Sequence, residues 1–220
     1  NTFLTKCRTE ALRIESRFWM GESYFNLKQN LKAIEEYKRF LEKSKDTLLI
    51  VNAHDRIGTI YFNQQRYEEA VIEWEHSIKN SIDMDQNAQI VIKIGRALFK
   101  SGYYEKSLER LLPLLSARIN SQNKAEIRLL IGRLYQLQND HKKAMTVLNA
   151  IPKELTETYP FYDVYYFRAL SYLSLERTSA ARSELELFQI IGKKSEFYTA
   201  GMFELGRIIL SGGKPDTGIE

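Results

Sequence analysis

A chain of 220 residues with 44% apolar and 27% charged residues has the composition of a helical globular protein, and no run reaches the roughly 18 apolar residues of a membrane span; Leu48-Leu49-Ile50-Val51 is among the longest. Its 32 basic residues are interspersed with 28 acidic ones, so a net charge of +4 and a pI near 9.0 come without the basic block that would favour nucleic acid. A single Cys7 excludes an internal disulfide.

Six small residues fall on one arithmetic series: Gly21, Gly58, Gly95, Gly132, Ala169 and Gly206 are each 37 residues apart. A period in that range marks stacked supersecondary units rather than a closed globule. Three residues after each small residue comes Tyr24, Tyr61, Leu98, Tyr135, Tyr172 or Ile209. Twelve after it comes Ala33, Ala70, Ser107, Ala144, Ala181 or Gly218, and four further on Tyr37, Trp74, Leu111, Leu148 or Leu185. The last two columns share one helical face at i and i+4.

In chain order, residues 1–13 align with the end of a second helix and are expected to close a preceding repeat. Complete units follow at 14–50, 51–87, 88–124, 125–161 and 162–198, with a partial one at 199–220. Each is expected to be two amphipathic helices joined by a polar turn such as Lys28-Gln29-Asn30, Asn63-Gln64-Gln65 or Ser101-Gly102. Glycine in a helix interior costs about 1 kcal/mol, so its recurrence implies close approach where the first helix crosses the second. Both ends break off mid-repeat, and the chain reads as a piece of a longer protein.

The unit Ile57-Gly58-Thr59-Ile60-Tyr61 followed by Tyr67-Glu68-Glu69-Ala70-Val71-Ile72-Glu73-Trp74 resembles the tetratricopeptide repeat, and the resemblance runs over nearly the whole chain. It implies an all-α fold, a right-handed superhelical solenoid of antiparallel helix pairs. The departures are the longer period, Arg168 where the family has Leu, and Ser107 and Leu111 in the third unit. Sel1-like repeats rank second because these turns lack their extra glycines. The first unit, Arg17-Phe18-Trp19-Met20-Gly21-Glu22-Ser23-Tyr24 with Ala33-Ile34, looks like repeats of bacterial cell-envelope proteins and points to the periplasm, with the cytoplasm as the alternative.

No chemistry of catalysis is legible. His54, His76 and His141 are read as scattered surface or boundary residues in separate repeats, so no metal or other cofactor is expected. Gly212-Gly213-Lys214 fails as a phosphate loop, with Ile208 in place of the leading Gly and Pro215 in place of the Ser or Thr. Cys7 is not a lipoprotein site: Lys6 precedes it, no apolar segment leads to it, and the repeat register makes it the counterpart of Ser44.

The resemblance implies a concave groove lined by first-helix residues one, four and five positions after the small residue. Those columns give a partner-binding groove of Phe25, Asn26, Phe62, Asn63, Arg96, Phe99, Lys100 and Arg133. An extended peptide would lay apolar side chains on the rings and its backbone on the Asn amides, with acidic residues toward Arg96, Lys100 and Arg133. Family members that grip a terminal carboxylate use Lys and Asn where this chain has Phe18 and Glu22, which disfavours that ligand. The expectation is a non-catalytic scaffold for a protein or peptide partner. An RNA-binding helical repeat and the recruiting arm of a larger enzyme are the alternatives. The aromatic run Tyr159-Pro160-Phe161-Tyr162 with Tyr165, Tyr166, Phe167 and Tyr172 is expected to pack between units, Pro160 opening a helix.

Overall fold

The structure, a computed structural model, describes residues 2–81, 83–158 and 160–212, with side chains from residue 9 onward. The side chain of Cys7, Tyr159, and the stretch 213–220 with Lys214, Pro215 and Gly218 lie outside the described residues. All regular structure among them is helical. First and second helices alternate as α1 (Thr2–Asn26) and α2 (Asn30–Leu41), α3 (Thr47–Asn63) and α4 (Tyr67–Asn80), and α5 (Met84–Lys100) and α6 (Tyr104–Leu111). Then come α7 (Ser121–Leu137) and α8 (His141–Asn149), a short α9 (Lys153–Thr156), α10 (Asp163–Ser174) with α11 (Thr178–Ile191), and α12 (Tyr198–Leu210).

Two further 37-residue columns set the helix ends. Asp46, Asp83 and Asn120 are N-caps whose side chains accept from the backbone N–H groups of Leu49, Gln86 and Asn123 at 2.8 to 3.0 Å, satisfying a donor that the first turn leaves open. Where the first helices end, Lys28, Gln65, Gly102, Asn139 and Glu176 all take left-handed backbone angles, with φ between 57° and 80°. Each turn closes with the same pair of bonds, as in Gln65 N–H to Phe62 C=O and Arg66 N–H to Tyr61 C=O, both 2.9 Å. That is a Schellman closure, which reverses the chain into the second helix and satisfies the last carbonyls.

The crossing of each pair places the small residue against the bulky column. A Cβ on Gly21 would stand 2.6 Å from the Tyr37 ring, on Gly58 2.7 Å from Trp74, and on Gly132 2.6 Å from Leu148. Glycine is therefore required by contact with the bulky side chain itself, rather than by rings packed to either side. The Ala column is wholly buried at Ala33, Ala70, Ala144 and Ala181. Ser107 keeps its place in that column because its hydroxyl donates to the Gly95 carbonyl at 2.8 Å, so no buried polar group is left open.

By compactness the chain divides into two units, Asn1–Arg110 and Leu111–Glu220. The first unit is centred on Phe18, Tyr37, Phe40, Ile57, Ile60, Trp74 and Ile94. The second has one cluster around Leu148, Phe161, Val164, Phe167 and Phe188, and another around Ala169, Leu185, Leu205 and Ile208.

Four local expectations change. The helix through residues 1–13 does not end there: α1 runs unbroken from Thr2 to Asn26, because no Gly, Pro or Asn interrupts Thr9-Glu10-Ala11-Leu12-Arg13-Ile14-Glu15. Second helices of the third and fourth pairs are short, since Pro113 turns the end of α6 into a 3-10 segment (Leu112–Leu115) and Pro152 precedes α9 after α8 has stopped. Pro160 lies ahead of α10, which opens at Asp163, instead of at its first turn. The helix pairs themselves open four residues before the expected unit boundaries, at Thr47, Met84 and Ser121.

Candidate partner-binding groove

Seven of the eight candidate groove residues lie in the unit Asn1–Arg110, at the C-terminal ends of α1, α3 and α5. Asn26, Asn63, Arg96 and Lys100 are exposed, whereas Phe25, Phe62 and Phe99 are half-buried. The rings are partly spent on their own repeat. Phe62 meets Tyr67 edge-on at 5.4 Å and Trp74 at 5.8 Å, and Phe99 meets Tyr104 at 5.7 Å. Phe25 carries the Arg56 guanidinium 5.0 Å over its ring. The three helix ends thus present one aromatic edge and one polar side chain each, at the repeat spacing.

A ladder of ion pairs ties the first helices of this unit together. Arg56 donates to Glu22 through Nε at 2.8 Å and Nη2 at 3.3 Å, and the Tyr37 hydroxyl donates to the same carboxylate at 2.6 Å. One repeat on, Lys93 Nζ donates to both Asp55 oxygens at 2.6 and 2.8 Å while Trp74 Nε1 donates to Oδ1 at 2.9 Å. The bulky residue that fills each glycine notch therefore passes its polar tip to the carboxylate that holds the next repeat's cation. Burial alone would raise the Glu22 carboxyl, but the bonds from Arg56 and Tyr37 and the Arg56 charge outweigh it and hold it below the usual range. The same burial, with the carboxylate beside it, pushes the Tyr37 phenol far up. Later pairs have Leu in the bulky column and lack this polar tip.

Arg133 belongs to the other unit, on α7, and it is half-buried with its guanidinium 5.0 Å from the Phe167 centroid and 5.1 Å from that of Phe197. Tyr166 stacks on Phe197 at 5.3 Å with planes 10° apart. Burial, with Glu204 nearby, raises the Tyr166 hydroxyl above its ordinary value in spite of Arg133. Asp163 is likewise raised by burial, which outweighs a bond with Ser195. Substituting Arg133 thus disturbs an aromatic cluster. The aromatic run packs as expected: Phe161, Tyr162, Tyr165 and Phe167 are buried core of this unit. Arg168 stands in the Leu position because Nη2 donates to the Leu148 carbonyl at 3.0 Å, in the last turn of α8, where a cation meets the negative helix end.

The histidines require a correction. His54 and His76 both fall within the unit 51–87 and belong to the same helix pair, α3 and α4, and their rings stack at 5.3 Å; His54 Nδ1 lies 2.8 Å from Glu73 Oε2. The two fall 22 residues apart, a separation that only the antiparallel pair brings together. Among the described residues no group of three His, Cys, Asp or Glu is arranged to hold a metal ion.

The Tetratricopeptide repeat profile matches residues 15–47, the second half of α1 through α2 to the first residue of α3. Solved structures share the rest of the architecture. The apo form of RapI superposes with a TM-score of 0.77 at 18% identity, over 91% of this chain and 78% of that one. This chain has the tetratricopeptide-repeat fold. The tetratricopeptide-repeat protein YrrB, described as having an unusual peptide-binding site, gives 0.62 at 19% identity over 85% and 87% of the two chains. Pseudomonas aeruginosa pilF gives 0.64 at 15% identity over 93% and 91%. A search of curated protein sequences finds no match. In tetratricopeptide-repeat terms the sequence pairs Gly21 with Tyr37, Gly58 with Trp74 and Gly132 with Leu148, as the structure does, but did not reveal the Glu22–Arg56 and Asp55–Lys93 ladder. Its signal was available: Arg56 and Lys93 themselves stand 37 residues apart. No described helix is long and apolar enough to cross a membrane.

Proposed function

We propose that this chain is a non-catalytic scaffold that recruits another protein by holding an extended segment of it along the first helices of the unit Asn1–Arg110. The observation that carries this reading is the exposure of Asn26, Asn63 and Lys100 at the repeat spacing, each next to a Phe whose edge is half open. A peptide backbone repeats its N–H and C=O groups and is matched by Asn amides, which donate and accept at once. Arg96 and Lys100 add positive charge at one end and favour acidic residues there. Arg133 lies in the other unit, against Phe167 and Phe197, and is left out of the proposed groove. YrrB, with its peptide-binding site, supports the reading as a protein of like fold. We place the scaffold in a longer polypeptide or assembly of the bacterial envelope, on the character of its first repeat; cell fractionation tests the location.

A pull-down compares the wild-type chain with Asn26→Ala/Asn63→Ala and with Arg96→Glu. The expected result is one captured protein lost with both variants, their stability staying within about 0.5 kcal/mol of wild type. Capture that is indifferent to these changes overturns the groove. Binding that falls steeply with salt and weakens alike for unrelated RNA sequences replaces it with an RNA-binding module.

A further inference from the structure

The column three residues after the small residue reads Tyr24, Tyr61, Tyr135 and Tyr172, but in the third pair it reads Leu98. Three of those rings carry a cation over their face: Lys32 Nζ at 5.5 Å from Tyr24, Arg66 at 4.4 Å from Tyr61, and Lys143 Nζ at 5.5 Å from Tyr135. Lys32 and Lys143 each stand eight residues beyond their Tyr, and the residue in that register in the third pair is Lys106. The cation is kept there while the ring it would cover is gone. Lys106 instead lies 4.8 Å from the ring centroid of Tyr103, whose hydroxyl donates to Glu68 at 3.1 Å.

At Leu98 a cleft of about 470 Å³ opens between α4 and α6, floored by Val71, Ile94 and Leu98 and edged by Ile72, Tyr103 and Lys106. Its volume is that of a small-ligand site, and Ile72 and Tyr103 are 57% and 41% exposed at its rim. It shares no residue with the groove columns.

We propose that this cleft binds an aromatic side chain of a partner protein, seated on Leu98 and below the Lys106 ammonium, in place of the ring that the third repeat does not supply. The apolar floor takes the ring's body. The ammonium is attracted by the negative face of its π-system, an attraction that an aliphatic group of the same size does not offer. This second contact is independent of the peptide groove.

The test is an amide chemical-shift titration of the full chain with p-cresol, the side-chain analogue of tyrosine, beside cyclohexanol as a non-aromatic control. Saturable shifts confined to residues around Val71, Leu98 and Tyr103 are expected with p-cresol, and much weaker ones with cyclohexanol. Leu98→Tyr fills the cleft from within and is expected to abolish the shifts; Lys106→Met, on the exposed rim, weakens binding several-fold with the fold intact by circular dichroism. Arg96→Glu leaves p-cresol binding unchanged, which separates this site from the groove. Equal binding of the two probes, or p-cresol binding that survives both Leu98→Tyr and Lys106→Met, overturns the proposal.

Discussion

Gly58 and Gly206 occupy the same column and face different surroundings. A Cβ on Gly58 meets the buried Trp74 ring at 2.7 Å, whereas one on Gly206 meets nothing within 4 Å among the described residues. Ala gains about 1 kcal/mol over Gly in a helix interior, and overpacking a rigid buried ring costs about 1–3 kcal/mol. Gly58→Ala is therefore expected to destabilise by roughly 1 kcal/mol and Gly206→Ala to stabilise by up to about that much. Urea melts of the two variants check the sign, and a shared sign refutes the crossing as the reason for the column. Glu22 carries a pH-dependent share of stability. Because its carboxyl is held below the usual value when folded, its contribution is present above the unfolded value near about pH 4.3 and is lost as pH falls through the folded one. Glu22→Gln is expected to cost about 1 kcal/mol at pH 7, discounted because the Arg56 side chain is 41% exposed, with the deficit closing in acid. Melts at pH 7 and pH 3 that show the same deficit sink the assignment.

At the scale of the element, the turns closing the first helices hold non-glycine residues in the left-handed region at Lys28, Gln65, Asn139 and Glu176. That conformation costs an ordinary L-residue about 1–2 kcal/mol, less for Asn, whose side chain tolerates it. Glycine relieves the strain and returns part of the gain as unfolded-chain entropy. Gln65→Gly is thus expected to stabilise by about 0.5–1 kcal/mol and Asn139→Gly by less; thermal melts that rank them the other way contradict the closure. These turns also explain what the sequence hid. The small and bulky columns were legible because packing restricts them to one or two residue types, and the burial of Ala33, Ala70, Ala144 and Ala181 follows from that restriction. The turn column holds Lys, Gln, Gly, Asn and Glu, since only the backbone angle is selected there, and five different side chains carry no periodic signal. Ion pairs such as Glu22–Arg56 join two different columns 34 residues apart, so comparison within a column finds the cations Arg56 and Lys93 but not the carboxylates they meet. Of the groove, the sequence placed Asn26, Asn63 and Lys100 on exposed helix ends, but it did not foresee that Phe62 and Phe99 would lean on Tyr67 and Tyr104, because those contacts depend on how tightly the turn folds back.

For the whole molecule, an unbroken 37-residue period does not by itself make one cooperative body. Repeat arrays bury surface between neighbours, so their stability is a sum of local terms and cooperativity ends where those terms weaken. The third pair is where such a boundary is expected: α6 stops at Leu111, Pro113 removes a backbone donor just beyond it, and the division into two compact units falls between Arg110 and Leu111. Each side has its own apolar clusters. A lesion in one core is therefore expected to leave the other protected. Ala70 is fully buried at the α3–α4 crossing, and Ala70→Arg inserts a long charged side chain where there is no volume and no partner, at a cost above about 3 kcal/mol. Native-state hydrogen exchange of this variant should show the amides of α3, α4 and α5 losing protection while those of α7, α10 and α11 exchange as in the wild type. Uniform loss across both sets means that a single core spans the chain; retained protection in α3 and α4 means that the crossing is loose enough to admit the side chain, against the packing from which the rest of the fold follows.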